Sequence, residues 1–200
     1  MKYNYHSTYF LVSVPEICKL PNGKIGMEVA FVGYSNSGKS SAINALTYQK
    51  KLTKVSKTPG CTKLINLFEV KPGIRLIDFP GYGYTKDINM RKNCWHDIVC
   101  EYLEKRKNLK GLILIMDIRY PVKNLDQKII ESALSMKVPI FTLLSKSDKV
   151  SRSILKVTTQ KVAQDMKIKG TTCIQVVPFS TVKKHGIELL KITLNNWFKY

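Results

Sequence analysis

Apolar residues cluster along this chain in short runs that alternate with helix-like segments. Runs rich in Val, Ile, Leu and Phe have the length and the flanking residues of buried strands. They predict six strands, at Met27–Gly33, Leu64–Val70, Ile74–Phe79, Gly111–Ile118, Pro139–Leu144 and Thr172–Pro178. Helical periodicity predicts helices at Lys39–Leu46, about Asn93–Lys107, Leu125–Met136, Ser151–Lys167 and Lys183–Tyr200. The alternation predicts an α/β fold, with a mostly parallel sheet of about six strands and helices on both faces.

One connection between predicted strands is too short to contain a helix. The residues Lys71-Pro72-Gly73 form a tight turn, which predicts an antiparallel hairpin between the second and third strands. We therefore expect one antiparallel strand, at an edge of the sheet. In the last helix, apolar residues recur at helical spacing, which predicts a face packed on the sheet rather than a partner-binding groove. These residues are Ile187, Leu190, Leu194, Trp197 and Phe198.

Length and composition favour one compact domain. The 200 residues contain no Pro/Gly/Ser-rich linker, so we expect a single domain over 1–200, with residues 1–25 as an N-terminal extension packed on or preceding the core. The longest apolar run, Gly111–Met116, is far shorter than the roughly 20 residues of a membrane span. The segment MKYNYHSTYFLVSV lacks the apolar region and cleavage site of a signal peptide. We therefore expect a cytoplasmic protein that does not bind membranes.

The cysteines fit a reducing compartment and do not favour a metal site. There are five, they are scattered, and none forms a C-x-x-C pair. Cys94, His96 and Cys100 fall in one helical segment, which presents at most two of them together. Zinc binding is therefore disfavoured.

The formal net charge of +19 indicates a polyanionic partner such as RNA, DNA or anionic lipid. Most of the positive charge is Lys rather than Arg, and Lys, Ile and Asn are all abundant. An AT-rich genome would produce the same composition without selection for binding, so the charge alone leaves both explanations open. Basic helices around Lys149–Lys169 and Lys183–Lys199 are candidate RNA-facing surfaces, although solvated lysine faces are equally consistent with them.

The first predicted strand leads directly into the sequence GYSNSGKS (33–40), which fits the phosphate-loop pattern G-x-x-x-x-G-K-[ST] between a strand and a helix. Glycines let the backbone curl so that N–H groups point at phosphates, and the helix adds its positive N-terminal end. Lys39 is then expected to reach the outer phosphates and the Ser40 hydroxyl to bind Mg²⁺. This pattern predicts nucleotide binding.

Two further carboxylates follow predicted strands. Asp78 ends the third strand, where it can hold Mg²⁺ through a water molecule, and Gly81 can offer its N–H to a terminal phosphate. After the fifth strand, Ser145-Lys146-Ser147-Asp148 places a carboxylate that can accept hydrogen bonds from the N1–H and the exocyclic amine of guanine. The Lys146 stem can lie along the base. Adenine lacks this donor pair, so Asp148 favours GTP and argues against a metabolic P-loop kinase or ATPase.

The segment Thr47–Lys63 is polar, lysine-rich and long for a connection in a compact fold. Such a loop is either functional or disordered.

With these elements in order, the chain resembles a TRAFAC-class GTPase and, more closely, the EngB (YsxC/YihA) family of ribosome-assembly GTPases. The resemblance covers nearly the whole chain. It implies a Ras-like P-loop fold, binding of GTP and Mg²⁺, slow hydrolysis, and a role in maturing the large ribosomal subunit, with rRNA and ribosomal proteins as partners; we expect a monomer. The motifs that carry it are GYSNSGKSS (33–41), TPGCT (58–62), DFPGYGY (78–84), GLILIMDIRYP (111–121), SKSDK (145–149) and PFST (178–181).

The resemblance also implies roles for single residues. Thr62 is similar to the switch I threonine, whose hydroxyl binds Mg²⁺ when GTP is present, and Ser180 and Thr181 resemble the motif that supports guanine. Departures from the family pattern are Cys61, where arginine is usual, Ser145, where Asn or Thr is usual, and Tyr120, where histidine is usual. The implied nucleotide contacts are Gly33, Tyr34, Ser35, Asn36, Ser37, Gly38, Lys39, Ser40, Ser41, Gly60, Cys61, Thr62, Asp78, Gly81, Ser145, Lys146, Asp148, Phe179, Ser180 and Thr181.

Tyr82 occupies the position at which Ras-like enzymes keep the glutamine that orients the attacking water. A tyrosine cannot reproduce the donor and acceptor of an amide, so hydrolysis is expected to rely on backbone groups, Mg²⁺ or an outside contribution. Asn36 is similar to an asparagine that helps hold K⁺ in K⁺-activated GTPases. We therefore name Lys39, Thr62 and Asn36 as candidate catalytic residues. The alternative is a nucleotide-sensing RNA-binding module with negligible hydrolysis.

Overall fold

A computed structural model of the chain describes residues 2–21, 26–53, 64–83, 95–167 and 174–199. Within these ranges it has seven strands and five α-helices. The strands are β1 Tyr9–Val14, β2 Met27–Gly33, β3 Ile65–Lys71, β4 Ile74–Asp78, β5 Leu109–Asp117, β6 Ile140–Ser145 and β7 Ile174–Pro178. The helices are α1 Lys39–Thr47, α2 Trp95–Lys105, α3 Asn124–Ser135, α4 Arg152–Lys167 and α5 Ile187–Trp197.

The strands form one sheet in the order β1-β3-β4-β2-β5-β6-β7. The five strands from β4 to β7 in this order are parallel, and β3 is antiparallel to both of its neighbours. The predicted α/β class, the mostly parallel sheet and the β3–β4 hairpin are confirmed.

The prediction that the reversed strand, β3, lies at the sheet edge is wrong, because β1 lies outside it. This strand pairs with β3 from Tyr9 opposite Glu69 to Val14 opposite Ile65, and it forms the edge instead. Tyr9, Phe10 and Leu11 are all exposed, so β1 lacks the alternation of buried and exposed residues by which a strand is recognised in sequence.

Helices cover both faces of the sheet, as predicted. On one face α1 and α5 pack against the strands through residues such as Ile43 and Leu190. On the other face α2, α3 and α4 pack through Val99, Ile129 and Val162. All five side chains are at most 2% exposed, so each helix contributes to a dry core.

Helix α5 begins later than the predicted Lys183. The backbone groups of Ser180 and His185 exchange hydrogen bonds of 3.1 and 2.9 Å, which close a turn ahead of the helix. Four residues of the apolar face predicted for this helix are buried: Ile187, Leu190, Leu194 and Phe198.

None of the described helices is long and apolar enough to cross a membrane. Among the described residues, no group of three or more His, Cys, Asp or Glu side chains could hold a metal ion. Cys94 lies outside these residues, and Cys100 is a free thiol.

Candidate nucleotide-binding site

The carboxyl ends of five neighbouring parallel strands meet at one edge of the sheet. Such an edge is where ligands bind in open α/β sheets. At this edge lie the loop after β2 and three residues that end strands: Asp78 of β4, Asp117 of β5 and Ser145 of β6. The sequence motifs are thus brought together by the strand order.

The loop between β2 and α1, from Tyr34 to Gly38, has the curled backbone expected for a phosphate loop. Asn36 and Gly38 adopt left-handed conformations, with φ of 63° and 100°. The N–H of Ser37 donates to the carbonyl of Tyr34 at 3.0 Å, and the hydroxyl of Ser145 donates to the carbonyl of Ser37. Left-handed residues among right-handed ones turn successive N–H groups to one side, which makes a concave anion site. Helix α1 begins at Lys39, so its positive end faces the same place, with Ser40 and Ser41 in its first turn.

Lys39 and Asp78 form a buried ion pair at the centre of the site. The Lys39 ammonium donates to the Asp78 carboxylate, and the two residues are only 8% and 3% exposed. The residue predicted to reach the phosphates thus pairs with the residue predicted to act on Mg²⁺. The Asp78 carboxylate contacts the residue directly before Ser40. Carboxylate and hydroxyl oxygens suit Mg²⁺, which takes oxygen ligands and retains several waters.

The chain after α1 folds back along that helix toward Ser40. The Asn44 side chain holds it. Its amide oxygen accepts from the N–H of Thr53 at 2.9 Å, and its amide nitrogen donates to the carbonyls of Thr53 and Lys50 at 3.0 and 3.2 Å. The Thr53 hydroxyl donates to the carbonyl of Ser40 at 2.9 Å. The loop that contains the predicted switch residues therefore returns to the first turn of α1 at Thr53. Those residues, Gly60, Cys61 and Thr62, lie outside the described part of the chain.

Gly81 lies directly against the phosphate loop. The Ser35 hydroxyl donates to the Gly81 carbonyl at 3.1 Å, and the Ser35 N–H donates to the Tyr82 carbonyl at 2.9 Å. A Cβ atom on Gly81 would lie 2.7 Å from the Cα of Ser35, so a larger residue would push the two segments apart.

Lys146 connects the predicted guanine motif to the phosphate loop. Its ammonium donates to the carbonyl of Asn36 at 2.8 Å and lies 2.9 Å from a carboxylate oxygen of Asp117. Arg119 donates to both oxygens of the same carboxylate, at 2.9 and 2.7 Å. Partial burial raises the pKa of Asp117, but the hydrogen bonds from Arg119 and Lys146 outweigh it and hold that pKa well below its usual range.

The sequence prediction did not include Asp117 or Arg119. The available signal was the one used for Asp78, a carboxylate at the end of a buried strand.

Asp148 is held by the loop after β7. The Ser180 hydroxyl donates to one Asp148 oxygen at 2.6 Å, and this bond lowers the pKa of the carboxyl. The N–H of Ser147 donates to the carbonyl of Phe179 at 3.1 Å. Thr181 follows Ser180 directly. The structure therefore brings the two halves of the predicted guanine site together, with Asp148 as an ionised acceptor.

The side chain of Tyr82 lies in the core and not in the site. It is 1% exposed, and its hydroxyl donates to Asp126 at 2.6 Å. Burial raises the pKa of Tyr82 well above its usual value and raises the pKa of Asp126 to about 6. Asp126 was not predicted as part of the site, because nothing in its sequence surroundings marks it.

The two candidate RNA-facing helices differ in how free their basic residues are. On α4, Arg152, Lys156 and Lys161 are exposed. Near α5, Lys183 and Lys184 are exposed, whereas Lys191 is 2.6 Å from Glu188 and lies over the Tyr48 ring. Lys169 lies outside the described residues.

Comparison with known proteins agrees with this geometry. Residues 28–146 match the family described as "50S ribosome-binding GTPase". Over 199 residues the chain is 74% identical to the "Probable GTP-binding protein EngB" of Blochmanniella pennsylvanica, with 100% of both chains covered. The protein of the same name from Hamiltonella defensa is 51% identical over 195 residues, which cover 98% of this chain and 94% of that protein.

Two solved structures share the fold. One is "a probable GTP-binding protein engB", with a TM-score of 0.67 and 22% identity, covering 86% of this chain and 98% of that one. The other is Era of Aquifex aeolicus "bound to GDP.AlF4-", with a TM-score of 0.64 and 22% identity, covering 84% of this chain and 56% of that one. Together with the full-length sequence identity, these findings show that the chain belongs to the EngB family of GTP-binding proteins.

Proposed function

We propose that this protein binds GTP with Mg²⁺, hydrolyses it to GDP and phosphate, and acts as a switch in the assembly of the large ribosomal subunit. One observation carries the proposal. Lys146 bonds to the phosphate-loop carbonyl of Asn36 and precedes Asp148 by two residues, so the proposed phosphate-binding and base-binding segments are directly connected. This connection supports one guanine nucleotide bound across both segments.

The base end supports guanine in particular. Asp148 is an ionised acceptor that could take both hydrogen bonds from the N1–H and the exocyclic amine, and Ser180 orients it at 2.6 Å. The Lys146 stem would lie along the base, and the backbone from Phe179 to Thr181 would border it. Adenine would not supply these two donors, which at a site built around such bonds gives discrimination on the order of 10⁴-fold. GDP is expected to be displaced by GTP and not by ATP.

At the phosphate end, Lys39 would leave Asp78 for the phosphates. The residues of the loop around the phosphates would be Gly33, Tyr34, Ser35, Ser37, Gly38 and Ser41. When bound, Mg²⁺ would neutralise charge on the phosphate oxygens, held by the hydroxyls of Ser40 and Thr62 and, through water, by Asp78. Gly60 and Cys61 would accompany Thr62, and the N–H of Gly81 would meet the terminal phosphate.

Slow intrinsic hydrolysis follows from Tyr82. The Tyr82 hydroxyl donates to Asp126. Tyr82 therefore offers neither an amide nor a free hydroxyl to orient water. The missing group would come from outside, from K⁺ held near Asn36 or from the ribosomal partner. Asn36 is exposed on the loop, which fits a role toward an incoming ion. Faster phosphate release in KCl than in NaCl would support K⁺ activation, whereas equal rates would exclude it.

The buried Tyr82 also favours the second candidate function, a nucleotide-sensing RNA-binding module with negligible hydrolysis. Multiple-turnover phosphate release, measured with and without purified large ribosomal subunits, separates the two. We expect slow turnover that the subunits accelerate, and no turnover in Lys39→Ala. Nucleotide binding without turnover in either condition would favour the second candidate.

The proposed partners are the rRNA and proteins of a large-subunit precursor. The net charge of +19 and the exposed Arg152, Lys156 and Lys161 on α4 support a polyanionic partner. We propose a cytoplasmic monomer with a single domain over 1–200 that does not bind membranes. If charge drives docking, subunit association should fall steeply with added salt. Association that is insensitive to salt would argue against an electrostatic surface.

A further inference from the structure

Two tyrosines from the two sides of the site reach the first turn of α3. Tyr34 belongs to the phosphate loop, and its hydroxyl accepts a hydrogen bond from the N–H of Leu125 at 3.3 Å. Tyr82 follows Gly81, and its hydroxyl donates to a carboxylate oxygen of Asp126 at 2.6 Å. The two rings pack edge to face, with centroids 4.8 Å apart. We call Tyr34, Tyr82 and Asp126 the tyrosine anchor.

The backbones of the two tyrosines are also paired. Tyr34 and Tyr82 form a parallel bridge that extends the β2–β4 pairing beyond the ends of the strands. The N–H of Tyr82 donates to the carbonyl of Gly33 at 3.4 Å, and its carbonyl accepts from the N–H of Ser35 at 2.9 Å. Tyr82 is therefore held by its ring, its hydroxyl and both of its backbone groups. Gly81 directly precedes Tyr82, so these contacts also restrict the position of Gly81.

Asp126 is itself fixed. It is 2% exposed, and its second oxygen accepts the N–H of Lys123 at 3.1 Å, which closes the start of α3. The Lys123 ammonium lies 4.6 Å from the centre of the Tyr34 ring. Both carboxylate oxygens thus have partners, and the anchor joins α3 to the two segments that border the phosphates.

We propose that Tyr82 and Asp126 are positioning residues that set the N–H of Gly81 for the terminal phosphate of GTP. The inference rests on the proposed function, since it assigns a role within that site. GDP has no terminal phosphate at this position, so loss of the anchor should weaken GTP binding while sparing GDP. A residue needed only for stability would not change the ratio of the two affinities.

The chain contains a matched control for this distinction. Tyr102 is also fully buried, and its hydroxyl donates to the carboxylate of Glu28 at 2.7 Å. Glu28 lies near the start of β2, at the opposite end of the strand from the phosphate loop. Tyr102→Phe therefore removes the same kind of buried bond without touching the anchor.

The test measures dissociation constants of the full-length protein for N-methylanthraniloyl-labelled GDP and for the labelled non-hydrolysable analogue GMPPNP, both with Mg²⁺. In Tyr82→Phe we expect GDP affinity within about 2-fold of wild type and GMPPNP affinity lower by at least about 10-fold, the low end of the effect of one lost hydrogen bond to a charged group. Tyr102→Phe should leave the ratio of the two affinities unchanged. The double variant Tyr82→Phe/Asp126→Leu replaces the polar pair by apolar groups and guards against a folding defect, and it should show the same selective loss.

Two outcomes would overturn the inference. An unchanged ratio in Tyr82→Phe and in the double variant, with both nucleotides still bound by the wild type, would refute the anchor while leaving the proposed function intact. Failure of the wild type to bind either nucleotide would refute the proposed function and the anchor with it.

Discussion

The ammonium group of Lys39 donates a hydrogen bond to the carboxylate of Asp78, and both side chains are buried. Each charge compensates the other in a place where an unpaired charge would be costly. The same two groups are proposed to meet the phosphates and the Mg²⁺ water shell. Under the proposed function, nucleotide binding is an exchange of partners, in which the phosphates would replace Asp78 as the partner of Lys39.

The stability of the nucleotide-free protein should depend on this pair. Lys39→Ala leaves the Asp78 carboxylate buried without its cation, so we expect the free energy of unfolding to fall by about 3 kcal/mol. Lys39→Ala/Asp78→Ala should lose less than the sum of the two single variants, as measured by urea denaturation. Lys105→Ala removes an exposed pair with Glu101 and should change stability little. Strict additivity of the two single variants would contradict the exchange of partners.

The effect of Mg²⁺ on nucleotide affinity should depend on Asp78. In Asp78→Asn the carboxylate is lost, so GDP affinity with Mg²⁺ should fall to about its value in EDTA. Affinity in EDTA should stay equal to wild type or rise, because Lys39 no longer has a competing partner. Titration of labelled GDP with and without EDTA measures both. Asp165→Asn, an exposed carboxylate on α4, is the control; a full Mg²⁺ effect in Asp78→Asn would remove this residue from the metal site.

Asp117 should matter for guanine-nucleotide affinity although it is not expected to touch the ligand. Its carboxylate lies 2.9 Å from the Lys146 ammonium, which also bonds the phosphate loop. We expect Asp117→Asn to lower GDP affinity by about 10-fold, the loss of one charged hydrogen bond. In Lys146→Ala the same change at Asp117 should have little further effect. Equal effects of Asp117→Asn in both backgrounds would show that it does not act through Lys146.

The buried Asp126 should give the stability a measurable pH dependence. Burial raises its pKa to about 6, against about 3.9 in an unfolded chain, despite hydrogen bonds from Tyr82 and from the N–H of Lys123. The folded protein therefore keeps a proton between these values that the unfolded chain releases. The stability contributed by this group is complete below about pH 4 and is lost as the pH rises through about 6, by up to about 3 kcal/mol.

Asp126→Asn has no proton to lose at this position. Urea denaturation of wild type and Asp126→Asn between pH 4 and pH 7 should show the wild type losing stability relative to the variant as the pH rises. A constant difference across this range would mean that the carboxyl titrates at its ordinary pKa.

Much of the fold could be predicted because its central strands, such as β2 and β6, are buried on both faces. Strand β2 was predicted with both of its ends, and its continuous apolar run differs clearly from the polar loop that follows. The phosphate loop, Asp78 and the segment around Asp148 were predictable for a related reason. Each is a local departure from an apolar strand, and the parallel order of the strands brings them to one edge.

The contacts that could not be predicted are long-range or unpatterned. Strand β1 lies at the sheet edge with exposed side chains, so hydrophobic periodicity does not mark it. The bond between Tyr82 and Asp126 joins residues 44 positions apart, and both are polar residues whose burial is decided by tertiary packing. The sequence predicts that Tyr82 cannot orient the attacking water as a glutamine would. The structure shows that its hydroxyl instead bonds to Asp126 in the core.

We propose above all that the bound guanine nucleotide decides whether this protein binds or leaves a large-subunit precursor. The most direct test of this proposal is cosedimentation of the wild-type protein with large ribosomal subunits in GDP, in GTP and in a non-hydrolysable GTP analogue, with Lys39→Ala in parallel. We predict that the wild type cosediments in one nucleotide state and is released in the other, while Lys39→Ala shows no dependence on nucleotide. Equal cosedimentation of the wild type in all three nucleotides would contradict the switch.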